Sequence, residues 1–537
     1  MSKSRSRVTQ LWSRMPEADT QIQRIARDLP NEKGWRTLKR ADGEVLDGLA
    51  PSEDAESLLS LVHISDLHIC DAQSPARAEL MDRFADPHHP MSELIKLVGA
   101  YRAQEILTTQ TLESMIRTIN EIEHGPATTR PIDVVVVTGD VTDNAQRNEL
   151  SWYLSLMDGG IVHPDSGDLG VWEGVASNDP KKYDPSYWNP EGTPEGCIDD
   201  YPRSLYGLPT IPGLTDAVRQ PFTATGLRHR WFATHGNHDA MLQGTVPADP
   251  QLLAMAIGDK RLVSLAPDSD LKEIFSKWTQ VGPAGYASPE GGQFIDQTSD
   301  ENRSFNEASD WAKIHLACDH DGHGLTHDNQ AAGTKYWFKD VGDVRLISMD
   351  TVNAHGGWQG SLDESQFNWL KSVLSDPTPR YIVLLSHHPA ATLFNDYAPE
   401  SSERRICQDE LVTELLKHER VILWLAGHNH EHSIEHVGGN DLRGFWHVQT
   451  ASNIDWPQQG RLVEILEDGE RIVIATSVFD HQSPIDLDEA TSDLSDPVNL
   501  AGISRILSAN HWQRRSGEFD LELMAGKISD RNRYLWL

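Results

Sequence analysis

The sequence predicts an α/β fold, because short apolar runs typical of buried strands alternate with segments that have helical periodicity. The clearest strand is PIDVVVVTGD, in which four consecutive valines suit a strand covered on both faces. It follows residues 103–123, where isoleucine, leucine and methionine recur at helical spacing. The same alternation returns along the 537-residue chain, so a sizeable α/β core is expected.

The predicted strands follow one another along the chain, and most of them end in a polar loop. They are the runs LLSLVHIS, VVVV, RWFA, VRLISM, RYIVLLS, ERVILWLA and FWHVQ, followed by RLVEILEDGERIVIATSVF. The last segment predicts a hairpin, since Asp468-Gly469 is a favoured two-residue turn. The predicted helices after residue 360 are DESQFNWLKSVL, DELVTELLK and NLAGISRILSANHW.

The chain divides into three parts. Residues 1–57 are polar and read as an N-terminal extension, residues 58–484 contain the α/β pattern, and residues 485–537 form a C-terminal helical extension. Two stretches, about 158–228 and 242–334, interrupt the pattern. Structureless loops of that length are unusual in a compact domain, so both are predicted to be insertions that form a cap or substrate wall.

Charge and cysteine content exclude several classes of protein. The chain has 81 Asp and Glu against 47 Lys and Arg, a net charge of −34 at pH 7. Such a field disfavours long nucleic acid and anionic lipid, although local cations can still admit an anionic substrate. The four cysteines form no CxxC motif, which favours a reducing compartment. With no apolar run long enough for a signal peptide or a bilayer span, we expect a cytoplasmic protein without a membrane partner.

Five predicted strands end in side chains of the types that bind metals. These are Asp66 and His68 in SDLH, Asp140 in TGDVTDN, Asn237 and His238 in GNHD, His387 and His388 in SHHP, and His428 and His430 in GHNH. Any one of them alone is an ordinary strand exit. In open α/β sheets, however, the carboxyl ends of the strands form the ligand crevice, so the five together predict one site. Imidazole and oxygen ligands without thiolate suit manganese, iron, zinc or nickel.

Hydrolysis of a phosphate ester is a reaction that such a site can perform. Two cations about 3.5–4 Å apart can bridge and activate a water and neutralise charge on the phosphoryl oxygens. Holding two cations that close requires a bridging carboxylate, and Asp140 is the candidate.

The motifs D-x-H, G-D-x-x-D-N, G-N-H-D, H-H-P and G-H-x-H occur in that order and resemble those of the calcineurin-like metallophosphoesterase superfamily. The resemblance covers about residues 58–480. It implies a two-metal site and a four-layer αββα sandwich of two mixed β-sheets flanked by helices, which makes residues 58–484 the catalytic domain. The stretches QSPAR, GDVTDNAQRNEL and TASNIDWPQQGR are also similar to an uncharacterised, largely actinobacterial subgroup.

The resemblance also implies which residue binds which metal. Asp140 bridges the two ions. Asp66, His68 and His430 complete the site of one ion. Asn237, His387 and His428 complete the site of the other. His428 and His430 are two residues apart and would point the same way in an extended segment. Binding of opposite metals by these two therefore depends on the local turn.

The resemblance places His238 toward the substrate rather than on a metal. A protonated His238 could stabilise the phosphoryl charge or protonate the leaving oxygen. Asp239 either orients His238 or caps the loop.

Other polar residues close to the motifs are candidates for supporting roles. Those expected to fix the orientation of the ligands are Asp143, Asn144 and His388. Arg77 and Arg83 either meet the substrate phosphate or lie on a solvated helix face.

We therefore expect a dinuclear metal-dependent hydrolase that cleaves a phosphodiester or a small phosphomonoester by attack of a hydroxide bridging the metals. One alternative is a nucleotide or nucleic-acid phosphoesterase, although the charge argues against long DNA or RNA. Another is a non-catalytic metal-binding scaffold, a kind of protein that typically loses ligands which this chain keeps. The sequence leaves the ester, the native metals and the oligomeric state open.

Overall fold

The computed structural model describes residues 23–537 except 44, 284–290, 319–321, 439–442 and 515–519. The first 22 residues of the predicted N-terminal extension lie outside the described residues. Two six-stranded mixed sheets flanked by helices dominate the rest, which confirms the predicted α/β class.

The first sheet combines strands from distant parts of the chain. In spatial order they are Arg533–Trp536, Arg471–Asp480, Gln459–Asp468, Glu56–Ile64, Val134–Val137 and Trp231–Ala233. The last three are parallel to one another and the other pairs are antiparallel, including the predicted hairpin around Asp468-Gly469. Parallel strands end at one edge of a sheet, so the loops after Ile64, Val137 and Ala233 lie side by side.

The second sheet contains the predicted strands from the later part of the chain. In spatial order its members are Trp337–Val341, Val344–Met349, Tyr381–Ser386, Val421–Ala426, Phe445–Gln449 and Ser433–Val437. The four inner strands are parallel and the two outer ones antiparallel. Strand Val421–Ala426 is buried along its whole length, as expected for an apolar run covered on both faces.

Fourteen helices lie in the described residues, and some of them pack against these sheets. They span Glu79–Asp82, Thr108–Glu121, Arg147–Asp158, Tyr201–Tyr206, Leu214–Ala217, Pro250–Ile257, Leu271–Trp278, Ala308–Leu316, His327–Ala332, Glu364–Ser375, Gln408–Leu415, Leu487–Ala490, Pro497–Ser508 and Leu521–Met524. In the largest apolar cluster, Leu112 and Leu150 from two of the helices join strand residues of both sheets. Phe367 and Leu411, from two later helices, pack with Ile382 of the second sheet in another cluster.

Short elements occupy the two stretches predicted as insertions, and their role as a cap stays a prediction. Paired strands join Gly160–Val162 to Phe222–Ala224, Met241–Leu242 to Val246–Pro247, and Lys260–Ser264 to Gln293–Asp296. Outside these stretches, Gln23–Arg27 pairs with Leu38–Asp42, and Leu362–Asp363 with Arg405–Ile406. In the described part of the chain, no helix combines the length and the apolar character needed to cross a bilayer.

Candidate metal centre

The seven predicted metal ligands lie together where strands of both sheets end. The first sheet supplies Asp66, His68, Asp140 and Asn237, and the second supplies His387, His428 and His430. All seven side chains are buried or nearly so. The separate strand ends recognised in the sequence therefore converge on one place.

One group of ligands surrounds His68. Its Nε2 atom lies 3.2 Å from Nε2 of His430 and 3.7 Å from an Oδ atom of Asp140. His430 Nε2 is in turn 3.4 Å from Asp66 Oδ1. These four side chains offer two imidazole nitrogens and two carboxylates to a single position, a donor set that suits a divalent transition metal.

The protonation of these two rings follows from their other contacts. His68 Nδ1 lies 3.0 Å from an Asp143 carboxylate oxygen, and His430 Nδ1 lies 2.7 Å from Asp455 Oδ2. A carboxylate accepts, so Nδ1 donates in both rings and each neutral ring presents a lone pair at Nε2. Two such lone pairs 3.2 Å apart repel unless a metal ion or a proton lies between them. A carboxylate behind a histidine in this way is the usual arrangement of a metal ligand.

A second group of ligands surrounds His387. Its Nε2 lies 3.1 Å from His428 Nδ1 and 3.1 Å from an Oδ atom of Asp140, while its Nδ1 donates to the Thr138 carbonyl at 2.9 Å. Asp140 contacts both groups, as a bridging carboxylate must. Burial opposes a charge on His387, but Asp140 outweighs it and raises the pKa of His387 to about 9. The site thus attracts positive charge strongly.

Asn237 is predicted to complete the second group with its amide oxygen. Its Nδ2 donates to the Gly244 carbonyl at 2.9 Å. Because Nδ2 faces Gly244, Oδ1 of the same amide points away from Gly244. Oδ1 is buried and has no hydrogen-bond partner among the described residues. An unsatisfied buried oxygen is costly, and a bound cation would satisfy it. Asn144 supports this turn by accepting from the Gln243 amide at 2.8 Å.

Five of the ligands have a left-handed backbone conformation, which is uncommon for residues other than glycine. The φ angles are 53° at Asp66, 45° at His68, 49° at Asp140, 72° at His428 and 58° at His430. Because the segment containing His428 and His430 is not extended, the two side chains diverge. His428 meets His387, and His430 meets His68. The local turn therefore permits these two histidines to bind different metals.

His238 lies beside the ligands with its ring partly open to solvent. Its backbone amide donates to Asp140 Oδ1 at 2.9 Å, and its ring packs against His68 with 4.5 Å between ring centroids. The ring Nδ1 is 2.6 Å from the Asp143 carbonyl, which can only accept. Nδ1 is therefore the protonated nitrogen of the neutral ring, and Nε2 is left for another partner.

The prediction that Asp239 orients His238 is wrong. Oδ1 of Asp239 accepts from the amides of Val141 and Thr142, at 3.0 and 2.9 Å, and Oδ2 accepts from the Gly236 amide at 2.9 Å. The carboxylate thus ties the loop after Asp140 to the loop before Asn237. It is the loop cap that the sequence left as the alternative.

The two arginines do not have either of the predicted roles. Arg77 is buried, and its guanidinium donates hydrogen bonds to three carboxylates. The partners are Glu105 at 2.8 Å, Glu79 at 3.1 Å and Asp143. Arg77 is neither solvated nor open to a substrate, because three carboxylates surround it. Through Asp143 it supports His68.

Arg83 faces a different part of the molecule. Its Nη2 lies 2.9 Å from both the Asp184 carboxylate and the Tyr187 hydroxyl, in a separate cleft. Both partners belong to the stretch 158–228, so the guanidinium is engaged there and not at the metal loops.

His388 packs against the predicted ligands, and both of its ring nitrogens have other partners. Its Nε2 donates to the Trp358 carbonyl at 2.9 Å, and its Nδ1 lies 2.8 Å from the Thr351 hydroxyl. Both nitrogens are thus engaged. Burial, together with the charge of His387, lowers the pKa of His388 to about 3, so the ring is neutral. It packs against His428 with 4.4 Å between ring centroids.

One supporting residue was missed in the sequence. Asp455 holds His430 and is itself held by Arg102 Nε at 3.1 Å and Arg514 Nη2 at 3.2 Å. It lies shortly after strand Phe445–Gln449, in the stretch TASNIDWPQQGR. An acid after a further parallel strand was the signal that could have found it.

Comparison with known proteins agrees with this geometry. Residues 211–432 match the family model of the calcineurin-like phosphoesterases, a range that includes Asn237, His387, His428 and His430. No curated protein matches the chain. A solved dimetal phosphatase from Danio rerio is similar over 78% of this chain and 96% of its own, at 11% identity and a TM-score of 0.34. The family match and the five motifs that the structure brings together therefore identify residues 211–432 as a region of the calcineurin-like phosphoesterase family.

Proposed function

We propose that the chain is a dinuclear metal phosphohydrolase that cleaves a phosphodiester or a small phosphomonoester. Asp66, His68 and His430 would hold one ion, Asn237, His387 and His428 the other, and Asp140 both. The observation that carries this proposal is the pair of Nε2 atoms, on His68 and His430, that face each other 3.2 Å apart with a carboxylate behind each ring. The Asn237 oxygen, which has no hydrogen-bond partner within the described part of the chain, supports the second ion.

Two bound cations would supply an activated water and neutralise charge on the phosphoryl oxygens. The chain's own contribution to the chemistry is His238. The Asp143 carbonyl fixes its Nδ1–H, so a proton on Nε2 of the charged ring is available to a phosphoryl or leaving-group oxygen. The His238 side chain is 16% exposed, which leaves room for a substrate beside it.

A nucleotide is the second candidate substrate, and an aromatic pair favours it. The Trp358 ring lies almost parallel to His428, with 5.9 Å between centroids and 19° between planes, and Phe394 packs edge-on against Trp358. Phe394 is exposed. A planar base or another aromatic group could stack on this wall while its phosphate reaches the metals.

The stretches 158–228 and 242–334 would form the walls of the site, as the sequence suggests. For the second of these stretches, the support lies in Gly244, whose carbonyl holds the side chain of Asn237. A Cβ at Gly244 would lie 2.5 Å from Asn237 Nδ2 and 2.6 Å from His238 Nε2, so only glycine allows this approach.

Metal content and turnover test the proposal together. We expect two metal ions per chain by elemental analysis and hydrolysis of bis-p-nitrophenyl phosphate, p-nitrophenyl phosphate or both when Mn²⁺, Zn²⁺ or Fe²⁺ is supplied. An Asp140→Asn variant should lose turnover and at least part of the metal. Fewer than two ions in the unmodified chain, with no turnover of either ester, would refute the dinuclear assignment.

A further inference from the structure

Another cluster of metal-type side chains lies on elements that carry none of the ligands described above. Asp158 ends helix Arg147–Asp158, Cys318 follows helix Ala308–Leu316, and His323 lies in the short turn Gly322–Gly324. The three residues each offer one potential ligand atom, and these atoms all lie within 4.8 Å of one another. The cluster combines a thiol, an imidazole and a carboxylate.

The ligand atoms of this cluster converge on one side of the His323 ring. Cys318 Sγ lies 2.8 Å from His323 Nε2, and an Asp158 Oδ atom lies 3.6 Å from the same nitrogen. His323 is buried, whereas Asp158 and Cys318 are half-buried. An ion from solvent could therefore reach the cluster while its bound position stayed largely enclosed.

His323 is oriented in the manner of the histidines at the dimetal centre. Its Nδ1 donates to the Trp231 carbonyl at 3.1 Å, just as His387 Nδ1 donates to the Thr138 carbonyl. The neutral ring therefore presents the lone pair of Nε2 to Cys318 and Asp158. Its φ angle of 49° is also in the left-handed region, as for the five ligands above.

The carboxylate is oriented as well. The indole Nε1 of Trp231 donates to Asp158 Oδ1 at 3.0 Å, and the His323 ring stacks on the same indole. Trp231 thus holds both oxygen and nitrogen donors of the cluster in place. The surrounding sequence, HLACDHDGH from His315 to His323, is rich in His, Cys and Asp, a composition typical of metal binding.

We propose that Asp158, Cys318 and His323 bind a zinc ion, in addition to the ions of the dimetal centre. A Cys, His and Asp set suits Zn²⁺, with the fourth tetrahedral position left for water. On binding, Cys318 loses its thiol proton to solvent and coordinates as the thiolate. The ion would fasten the chain after helix Ala308–Leu316 to the end of helix Arg147–Asp158.

Cobalt substitution separates this site from the dimetal centre, whose ligands include no cysteine. We expect the unmodified chain reconstituted with Co²⁺ to show the near-ultraviolet charge-transfer absorption of a cobalt thiolate. Cys318→Ser should abolish that absorption, while the matched control Cys407→Ser should retain it. Absence of the band in the unmodified chain, or an equal band in the Cys318→Ser variant, would overturn the proposal.

Zinc content gives an independent measurement. After dialysis against limiting chelator, Cys318→Ser and Asp158→Asn should each hold one zinc ion per chain fewer than Cys407→Ser. Equal zinc content in all three would contradict the assignment. The cobalt spectrum of the unmodified chain tests the proposal by itself. The proposal therefore stays testable even if a variant misfolds.

Discussion

His68 and His430 present the same nitrogen, Nε2, to each other at 3.2 Å, and a buried carboxylate stands behind each ring. Asp143 accepts from His68 and Asp455 accepts from His430, so neither ring can turn or change tautomer without losing a hydrogen bond. The two rings come from loops 362 residues apart in the chain. Their mutual orientation is therefore set by partners that lie behind the rings and not between them.

Asp455→Asn should weaken metal binding. The neutral amide lowers the basicity of His430 and no longer fixes its tautomer, and loss of such a partner costs about 10–100-fold in metal affinity. Competition with a chelator, read by elemental analysis, measures the change. Asp376→Asn, at a surface carboxylate paired with Arg345, is the matched control and should bind metal like the unmodified chain. Unchanged affinity in Asp455→Asn would show that His430 needs no such support.

Asn237→Ala and His238→Ala should fail in different ways. Removing the Asn237 oxygen should lower metal occupancy at one position. Removing the His238 ring should keep both ions and lower kcat by about 10²–10⁴-fold, the usual range for a general acid or base. Elemental analysis and steady-state kinetics on the two variants distinguish the roles. Equal metal loss in both would place His238 among the ligands.

Arg77→Met should destabilise the protein rather than raise KM. The substitution leaves Glu79, Glu105 and Asp143 buried without their cation, and breaking a buried ion pair in this way costs about 3–5 kcal/mol. Urea unfolding gives the change in the free energy of unfolding. Arg147→Met, which removes the exposed partner of Asp310, should cost about 1 kcal/mol or less. A raised KM with unchanged stability would restore Arg77 as a substrate contact.

His447 should make stability depend on pH. Burial lowers the pKa of His447 from its usual 6.5 to about 4 in the folded chain. Between these values the unfolded chain binds more protons, so the free energy of unfolding falls as the pH drops from 6.5 toward 4. One such proton contributes a slope of about 1.4 kcal/mol per pH unit.

Replacing the imidazole by His447→Phe should therefore reduce the slope by about one proton. Urea unfolding of metal-depleted samples at several pH values measures it, and metal depletion keeps acid release of the ions out of the comparison. The same slope in the variant and the unmodified chain would mean that His447 is not the buried neutral group described here.

The strands and the metal ligands could be predicted because each is marked by a short stretch of neighbouring residues. An apolar run predicts a buried strand by itself, and the residues just after Val137 or Ala426 must lie at its carboxyl end. The supporting residues were harder to predict. Arg77 looks like a surface cation until the fold surrounds it with three carboxylates, and Asp239 bonds to a loop 97 residues earlier. Asp455 acts on His430 only because two strand ends of the second sheet lie near each other.

The division of the ligands between the sheets has a mechanical consequence. Four ligands come from the first sheet and three from the second, so each ion held at Asp140 ties the two halves of the core to each other. Such an ion would act as a non-covalent cross-link between the two sheets. At 100 times its dissociation constant it adds about 2.7 kcal/mol of stability if it binds only the folded chain. Loading with metal would then convert two sheets that could loosen separately into one unit that unfolds together.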